Sequence, residues 1–68
     1  MKISYDKKVD SAYIYLKHPI EKGEAKKTIE LNDNIILDFD KDKKLIGIEV
    51  LSASKVLSKK VLEQPQAA

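Results

Sequence analysis

Apolar and polar side chains alternate with a period of two along most of the chain, which is the pattern of half-buried β-strands. Short polar segments rich in Lys, Asp and Asn interrupt the alternation and predict turns. We expect five strands, at residues 2–6, 12–16, 26–31, 35–40 and 45–51. Because the connections are short, whereas a parallel crossover needs a dozen or more residues, we expect an antiparallel β-meander.

The period changes after the fifth strand. Apolar residues then recur at helical spacing, at Ala53, Val56, Leu57 and Val61. Ser52 or Ser54 is a suitable cap for the start of this helix, and Pro65 is expected to end it. The sequence therefore predicts an α+β fold, an antiparallel meander of about five strands with one C-terminal helix packed on one face. Residues 1–63 form a single domain in this prediction, and residues 64–68 form a flexible tail.

The predicted strands have one strongly apolar face, which the helix is expected to cover. This face carries Ile3, Tyr5, Ile14, Leu16, Ile29, Leu31, Leu37, Phe39, Ile46, Ile48 and Val50. A helix of about ten residues is roughly 15 Å long, so it cannot cover the other face as well.

The second face carries Tyr13, Tyr15, Ile36 and Leu51, and we name these four residues the tyrosine face. Beside them the alternation places the polar residues Ser4, Thr28, Asp38 and Glu49. One interpretation is that a partner covers it, because it is partly apolar and has no lid within the chain. The other is that the tyrosines lie on a solvated sheet and pack against lysine stems. In the fifth strand, Gly47 indicates a bulge or a close approach by the helix or a second subunit.

The composition limits the core and its chemistry. A chain of 68 residues with 43% hydrophobic residues and no cysteine forms one domain without disulfides or thiolate sites. Such a core rarely yields more than roughly 3–5 kcal/mol, so we expect a homodimer or a small protein partner. The longest apolar run, Ile35-Ile36-Leu37, cannot span a membrane, and residues 1–6 lack the apolar segment of a secretory signal. We therefore expect a cytoplasmic protein without membrane contact.

All of the positive charge comes from lysine, and the net charge is +2. Lysine lacks the bidentate fork with which arginine recognises bases and phosphates. Four lysine pairs, together with Tyr13 and Tyr15 as stacking platforms, leave a nucleic-acid-associated regulator as an alternative function. We prefer the interpretation that lysines at turns and edges prevent sheet association, and we do not expect nucleic acid as a partner.

The most specific chemical motif is an acidic segment at the predicted fourth turn. Asp38, Asp40 and Asp42, with Glu49 further on, have the spacing of calcium ligands in an EF-hand loop. Lys43 occupies the position that requires glycine, however, and the flanking residues alternate like strands. We expect a hairpin turn, and the sequence leaves open whether it binds a cation.

Other chemistry has weaker support. Asp6 and Asp10 flank a turn, His18 is the single histidine, and no serine lies in a Gly-x-Ser-x-Gly context. We therefore predict no catalytic residues, no metal ligands and no cofactor, with a small enzyme or metal-binding protein as the remaining alternative.

Three segments together resemble a known prokaryotic family, catalogued as domain of unknown function 2283. They are residues 1–6 (MKISYD), 9–16 (VDSAYIYL) and 47–54 (GIEVLSAS). The resemblance covers Met1 to about Leu57. It implies a bacterial or archaeal protein with no established activity and no catalytic residues to carry over. Some similar genes adjoin toxin-like genes, which implies an antitoxin-like partner role. Our leading hypothesis is a non-catalytic protein-interaction module.

Overall fold

The computed structural model describes residues 1–63, which form a five-stranded antiparallel sheet and two short helices. The elements are β1 (Lys2–Asp6), β2 (Ser11–Tyr15), β3 (Lys27–Glu30), β4 (Ile35–Phe39), β5 (Leu45–Leu51), α1 (Ala53–Val56) and α2 (Lys59–Leu62). The α+β class and the antiparallel pairing predicted from the alternation are confirmed. The predicted tail, residues 64–68, and the predicted helix stop at Pro65 lie outside the described residues.

The last strand, β5, occupies the centre of the sheet, whose order is β1-β2-β5-β4-β3. The chain thus consists of a hairpin, β1–β2, and a three-strand meander, β3–β4–β5, joined where β5 pairs with β2. Strands β2 and β3 follow each other in sequence but lie three strand positions apart, about 14 Å at the usual strand spacing. Residues 16–26 connect them across that distance.

This long connection is held by the carboxylate of Glu24. It accepts a hydrogen bond from Lys17 Nζ and another from the backbone N–H of Glu21, each at 2.9 Å. The interaction with Lys17 is the main reason that the pKa of Glu24 is lowered. The loop therefore has a polar anchor of its own.

The register of β5 aligns like residues on each side of the sheet. Ile48 lies opposite Ile14 of β2 and Leu37 of β4, which places three apolar side chains side by side. Because successive side chains of a strand point to opposite sides, the neighbouring residues of these strands face the other way. The two faces expected from the alternation are therefore present.

The predicted single helix is divided into two one-turn helices. Leu57 is extended (φ −107°, ψ 146°), and it ends α1. The Ser58 hydroxyl then accepts a hydrogen bond from the Val61 N–H at 3.3 Å and so caps α2. Serine favours this capping geometry over continuing a helix, which explains the division. In the part of the chain that the structure describes, neither helix is long and apolar enough to cross a bilayer.

The cap of α1 comes from the β1–β2 turn. Ser52 has a left-handed backbone (φ 52°) and makes no side-chain cap, so the prediction of a local serine cap is wrong. Asp10 takes that role: its backbone carbonyl accepts from the Ala53 N–H at 2.8 Å. Its carboxylate accepts from the Ser54 N–H (3.0 Å) and hydroxyl (2.7 Å), and from the Tyr5 hydroxyl (2.7 Å). Asp10 therefore fastens α1 to the hairpin.

These hydrogen bonds favour the ionised form of Asp10. The hydrogen bond from the Ser54 hydroxyl is the largest cause that lowers the pKa of the Asp10 carboxyl, and the hydrogen bond from the Tyr5 hydroxyl is the second. The same hydrogen bond to Asp10 is the main cause of the raised pKa of Tyr5. Folding therefore stabilises the ionised form of the Asp10 carboxyl over the protonated form.

The core is small and lies beneath the helices. Its buried residues are Ala12, Ile46, Val50 and Ala53, none more than 3% exposed. Around them pack the partly buried Tyr5, Ile14, Ile48, Leu57 and Leu62. All the strand residues of this core belong to β1, β2 and β5, so the helices cover only that half of the sheet.

The β3–β4 half of the same face is left open. Ile29 and Leu31 remain 39% and 61% exposed, and Leu16, directly after β2, is 42% exposed as well. The expectation that a helix covers these three residues is therefore wrong. Each helix has a single turn of four residues, about 6 Å long, which is too short to reach across five strands. A shallow hollow of about 180 Å³ lies here, lined by Lys27, Ile29, Phe39, Asp40 and Lys43.

The Asp10 cap generates a prediction about stability and pH. Replacing Asp10→Ala should lower the midpoint of urea unfolding at neutral pH, because α1 loses its cap and the Tyr5 and Ser54 hydroxyls lose their acceptor. The pKa of Asp10 is lower when folded than its ordinary value of about 3.9, so its contribution is complete above that value. It is lost as the pH falls through the folded pKa, so the difference from wild type should shrink as the solution is acidified below the ordinary value.

Urea unfolding followed by circular dichroism at several pH values measures this difference. Asp42→Ala, at an exposed turn carboxylate, is the matched control. An equal loss of stability in both variants at neutral pH would contradict the capping role.

Candidate functional site: the tyrosine face

The four residues of the tyrosine face come together on the side of the sheet opposite the helices. Tyr13 of β2 and Ile36 of β4 both lie opposite Glu49 of the central strand β5. Leu51 follows two positions later on β5 and pairs with Ser11. All four residues predicted for this face are half-buried. Their common surface thus depends on β5 lying between β2 and β4.

Tyr13 lies over a glycine. A Cβ added to Gly47 would overlap the Tyr13 hydroxyl and ring, so only glycine leaves room for this side chain. The predicted close approach at Gly47 is therefore real, but it is made by Tyr13 and not by a helix. The register also shifts at Asp38/Phe39, next to the glycine's partner, so the predicted irregularity of β5 is present too.

The Tyr13 hydroxyl is the first member of a chain of side-chain hydrogen bonds that crosses the sheet, which we name the polar chain. It donates to Asp38 Oδ2 at 2.7 Å, and the Thr28 hydroxyl donates to Asp38 Oδ1 at 2.7 Å. Burial, followed by the hydrogen bond to Asp38, raises the pKa of Tyr13 well above its usual value. Tyr13 is consequently a neutral donor across the physiological pH range, and the chain links β2, β4 and β3.

Tyr15 belongs to an aromatic row. Its ring centroid lies 4.7 Å from that of Tyr13 and 5.3 Å from that of His18, both in edge-to-face geometry. Lys2 Nζ lies 5.7 Å from the Tyr15 ring centroid, within the range of a cation–π interaction. The tyrosines therefore pack against one another, against the loop histidine and against a lysine, and their orientation is fixed before any partner binds.

The acidic segment predicted as a hairpin turn is one. Asp40 accepts hydrogen bonds from the backbone N–H groups of Asp42 (2.8 Å) and Lys44 (2.9 Å), and Lys43 has a left-handed backbone (φ 63°). Asp38 is held instead in the polar chain on the tyrosine face. Among residues 1–63, no three His, Asp or Glu side chains gather in a way that could hold a metal ion.

The lysine pairs occupy different ends of the sheet. Antiparallel pairing places residues 7–8, in the β1–β2 turn, at the end opposite residues 26–27 and 43–44. Residues 59–60 lie on α2. Within the described chain the four pairs therefore do not form one stripe along the tyrosine face.

Sequence reasoning placed Thr28 and Asp38 on this face as polar neighbours of the tyrosines, but it did not connect them with Tyr13. In the structure both complete the polar chain that begins at the Tyr13 hydroxyl. Their positions on the second sheet face could be read from the alternation. Their pairing with Tyr13 requires the strand order, which local pattern does not contain.

Comparison with known proteins places this site within a family. A sequence model for the family described as "Protein of unknown function (DUF2283)" matches residues 2–54. The chain belongs to this family. The match includes all five strands of this DUF2283 protein, and with them the whole tyrosine face and the Asp10 cap.

One curated relative is an uncharacterized protein of Methanocaldococcus jannaschii. It is 40% identical over 58 residues, which are 85% of this chain and 46% of the relative. The chain thus spans about half the length of the curated relative that it matches. No solved structure matches the chain. The comparisons establish the family and name no activity.

The contact between Tyr13 and Gly47 generates a second prediction. Ala is favoured over Gly in a strand by about 0.5–1 kcal/mol, so Gly47→Ala would be mildly stabilising if space allowed. Because the new methyl group overlaps Tyr13, we expect instead a loss of about 1–3 kcal/mol in the free energy of unfolding.

A double-mutant cycle provides the control. Adding Tyr13→Ala to Gly47→Ala should recover part of the loss, because the clash disappears, and the two substitutions should be coupled by about 1 kcal/mol or more. Urea unfolding of the four proteins measures the coupling. Purely additive effects, or a stabilising Gly47→Ala, would show that Tyr13 does not occupy this space.

Proposed function

We propose that this chain is a non-catalytic protein-interaction module whose tyrosine face contacts a protein partner, either a second copy of the chain or another small protein. The observation that carries the proposal is the position of this face. Both helices pack on the other side of the sheet, against Ala12 and Val50, so neither covers Tyr13, Tyr15 or Ile36.

The composition of the face supports binding to protein. Tyrosine is enriched in protein interfaces because it offers a large rigid surface with a polar end. Here Tyr13 and Tyr15 are already ordered by mutual packing, so little side-chain entropy is lost when a partner binds. Ile36 and Leu51 add apolar surface next to them, and Glu49 lies between Tyr13 and Ile36 as a charged contact.

The hydrogen bonding of the face supports a non-catalytic role. The Tyr13 hydroxyl, the Asp38 carboxylate and the Thr28 hydroxyl are partners of one another, an arrangement that fixes a surface. General acid–base chemistry instead requires a group within reach of a substrate proton, with a pKa near the working pH. The raised pKa of Tyr13 moves it away from that range.

The partner class follows from the family resemblance. The resemblance implies an antitoxin-like role, and on that ground we propose that the partner is a small protein. A chain without cysteine has no disulfides to protect, and we propose the cytoplasm as its location.

Substitution at the centre of the tyrosine face tests this function. Ile36→Lys adds a positive charge to the apolar part of the face. Because the Glu49 carboxylate lies opposite position 36 and can pair with the new lysine, we expect the variant to fold. The wild-type chain is first used to isolate a partner protein from extracts of the host, and that partner is purified. Calorimetry should then show that the partner binds Ile36→Lys at least tenfold more weakly than it binds wild type.

Val9→Lys is the matched control, since Val9 is 68% exposed in the β1–β2 turn and should bind like wild type. Equal affinity of the partner for wild type and Ile36→Lys would refute the role of the face. A wild-type chain that remains monomeric in light scattering and retains no partner would refute the function itself.

A further inference from the structure

The outer strand β3 differs from the other edge of the sheet. All of its residues, Lys27–Glu30, are exposed, whereas β1 at the opposite edge contributes Tyr5 to the packing around the core. Ile29 and Leu31 lie on the helix side, beside the hollow that Phe39 lines. Among residues 1–63, the apolar surface that the helices leave open therefore continues to a strand edge that pairs with no other strand.

The backbone of β3 has a short stretch available for pairing. Leu31 N–H donates inward to the Ile35 carbonyl at 2.8 Å, and alternate residues of an antiparallel strand point the same way. Ile29, opposite Leu37, therefore also points towards β4, and Thr28 and Glu30 point outwards. The Lys26 N–H is already bound to the Phe39 carbonyl at 2.8 Å. The available stretch is thus centred on Ile29.

We propose that β3 pairs antiparallel with β3 of a second copy of this chain, about a two-fold axis at Ile29. In this register the backbone of Thr28 exchanges hydrogen bonds with Glu30 of the partner subunit, and the symmetry repeats the exchange. Ile29 meets Ile29 of the partner subunit on the helix side. The two five-stranded sheets become one continuous sheet with all helices on the same side.

Charge along β3 identifies a second copy as the occupant. The strand is basic where it begins, at Lys26 and Lys27, and acidic where it ends, at Glu30. Antiparallel self-pairing brings the acidic end of each copy beside the basic beginning of the other. Glu30 lies diagonally across from Lys26 of the partner subunit, within reach of a long side chain.

The same register also covers Leu31. It lies opposite Lys27 of the partner subunit, whose aliphatic stem can pack on it while the amine stays in water. Lysines at a strand edge commonly prevent association. In this register, however, Lys27 faces Leu31 and Lys26 lies diagonally across from Glu30 of the partner subunit, so no lysine faces a second lysine. The edge charges are therefore compatible with antiparallel self-pairing, and the register follows from the outward backbone groups of Thr28 and Glu30.

This dimer uses a different surface from the tyrosine face and does not depend on the proposed function. Pairing two four-residue strands and one small apolar patch buries less surface than the roughly 800 Å² per partner of a standard stable interface. We therefore expect a concentration-dependent equilibrium between monomer and dimer.

Substitutions that place opposite charges at position 29, on the two-fold axis, test the dimer. The association is measured by sedimentation velocity over a range of protein concentrations. Wild type should shift from monomer to dimer as the concentration rises. Ile29→Lys and Ile29→Glu should each associate at least tenfold more weakly, because like charges meet at the axis. An equal mixture of the two variants should restore association, because Lys then meets Glu.

Leu16→Lys is the control, since Leu16 is 42% exposed against 39% for Ile29 and lies at the end of β2. It should dimerise like wild type, and circular dichroism checks that each variant is folded. A monomeric wild type, undiminished association of Ile29→Lys, or a mixture no better than its components would overturn the proposal. Dimerisation lost in Ile36→Lys but kept in Ile29→Lys would also overturn it, and would assign the dimer to the tyrosine face.

Discussion

The pairing of β5 with both β2 and β4 is the interaction on which the rest of the structure depends. It joins a local hairpin to a local meander, and neither unit alone has a core. Through it, Ile48 aligns with Ile14 and Leu37 on one side of the sheet, and Glu49 aligns Tyr13 with Ile36 on the other. A shift of one residue would exchange the two sides, so one register sets both the core and the tyrosine face.

The C-terminal segment completes the core through polar contacts as much as through burial. One-turn helices are not stable by themselves, because the first turn fixes several residues for one hydrogen bond. Asp10 supplies the missing acceptors at α1 and Ser58 does so at α2. Since the segment is anchored above β1, β2 and β5, the open half of the helix side follows from where its caps are.

The sequence predicts those features that depend on neighbouring residues. Period-two alternation located the strands and placed Tyr13, Tyr15, Ile36 and Leu51 on one side, because side-chain direction follows from position within a strand. It did not place β5 between β2 and β4, and it missed the cap between Asp10 and Ser54, which are 44 positions apart. Such contacts depend on which strands pair, and one sequence without relatives carries no local signal for that choice.

The tyrosine face and the β3 edge, the two surfaces that the helices leave uncovered, differ in what a partner must supply. The tyrosine face has satisfied polar groups and ordered rings, whereas the β3 edge has exposed isoleucine and outward backbone groups. A partner for the first must match a finished shape, and a partner for the second must supply a strand, which a second copy does. Because a two-fold axis perpendicular to a continuous sheet keeps like faces on the same side, the proposed dimer would present two tyrosine faces in one direction. A partner with two matching sites would then bind the pair more tightly than either face alone, without any new contact.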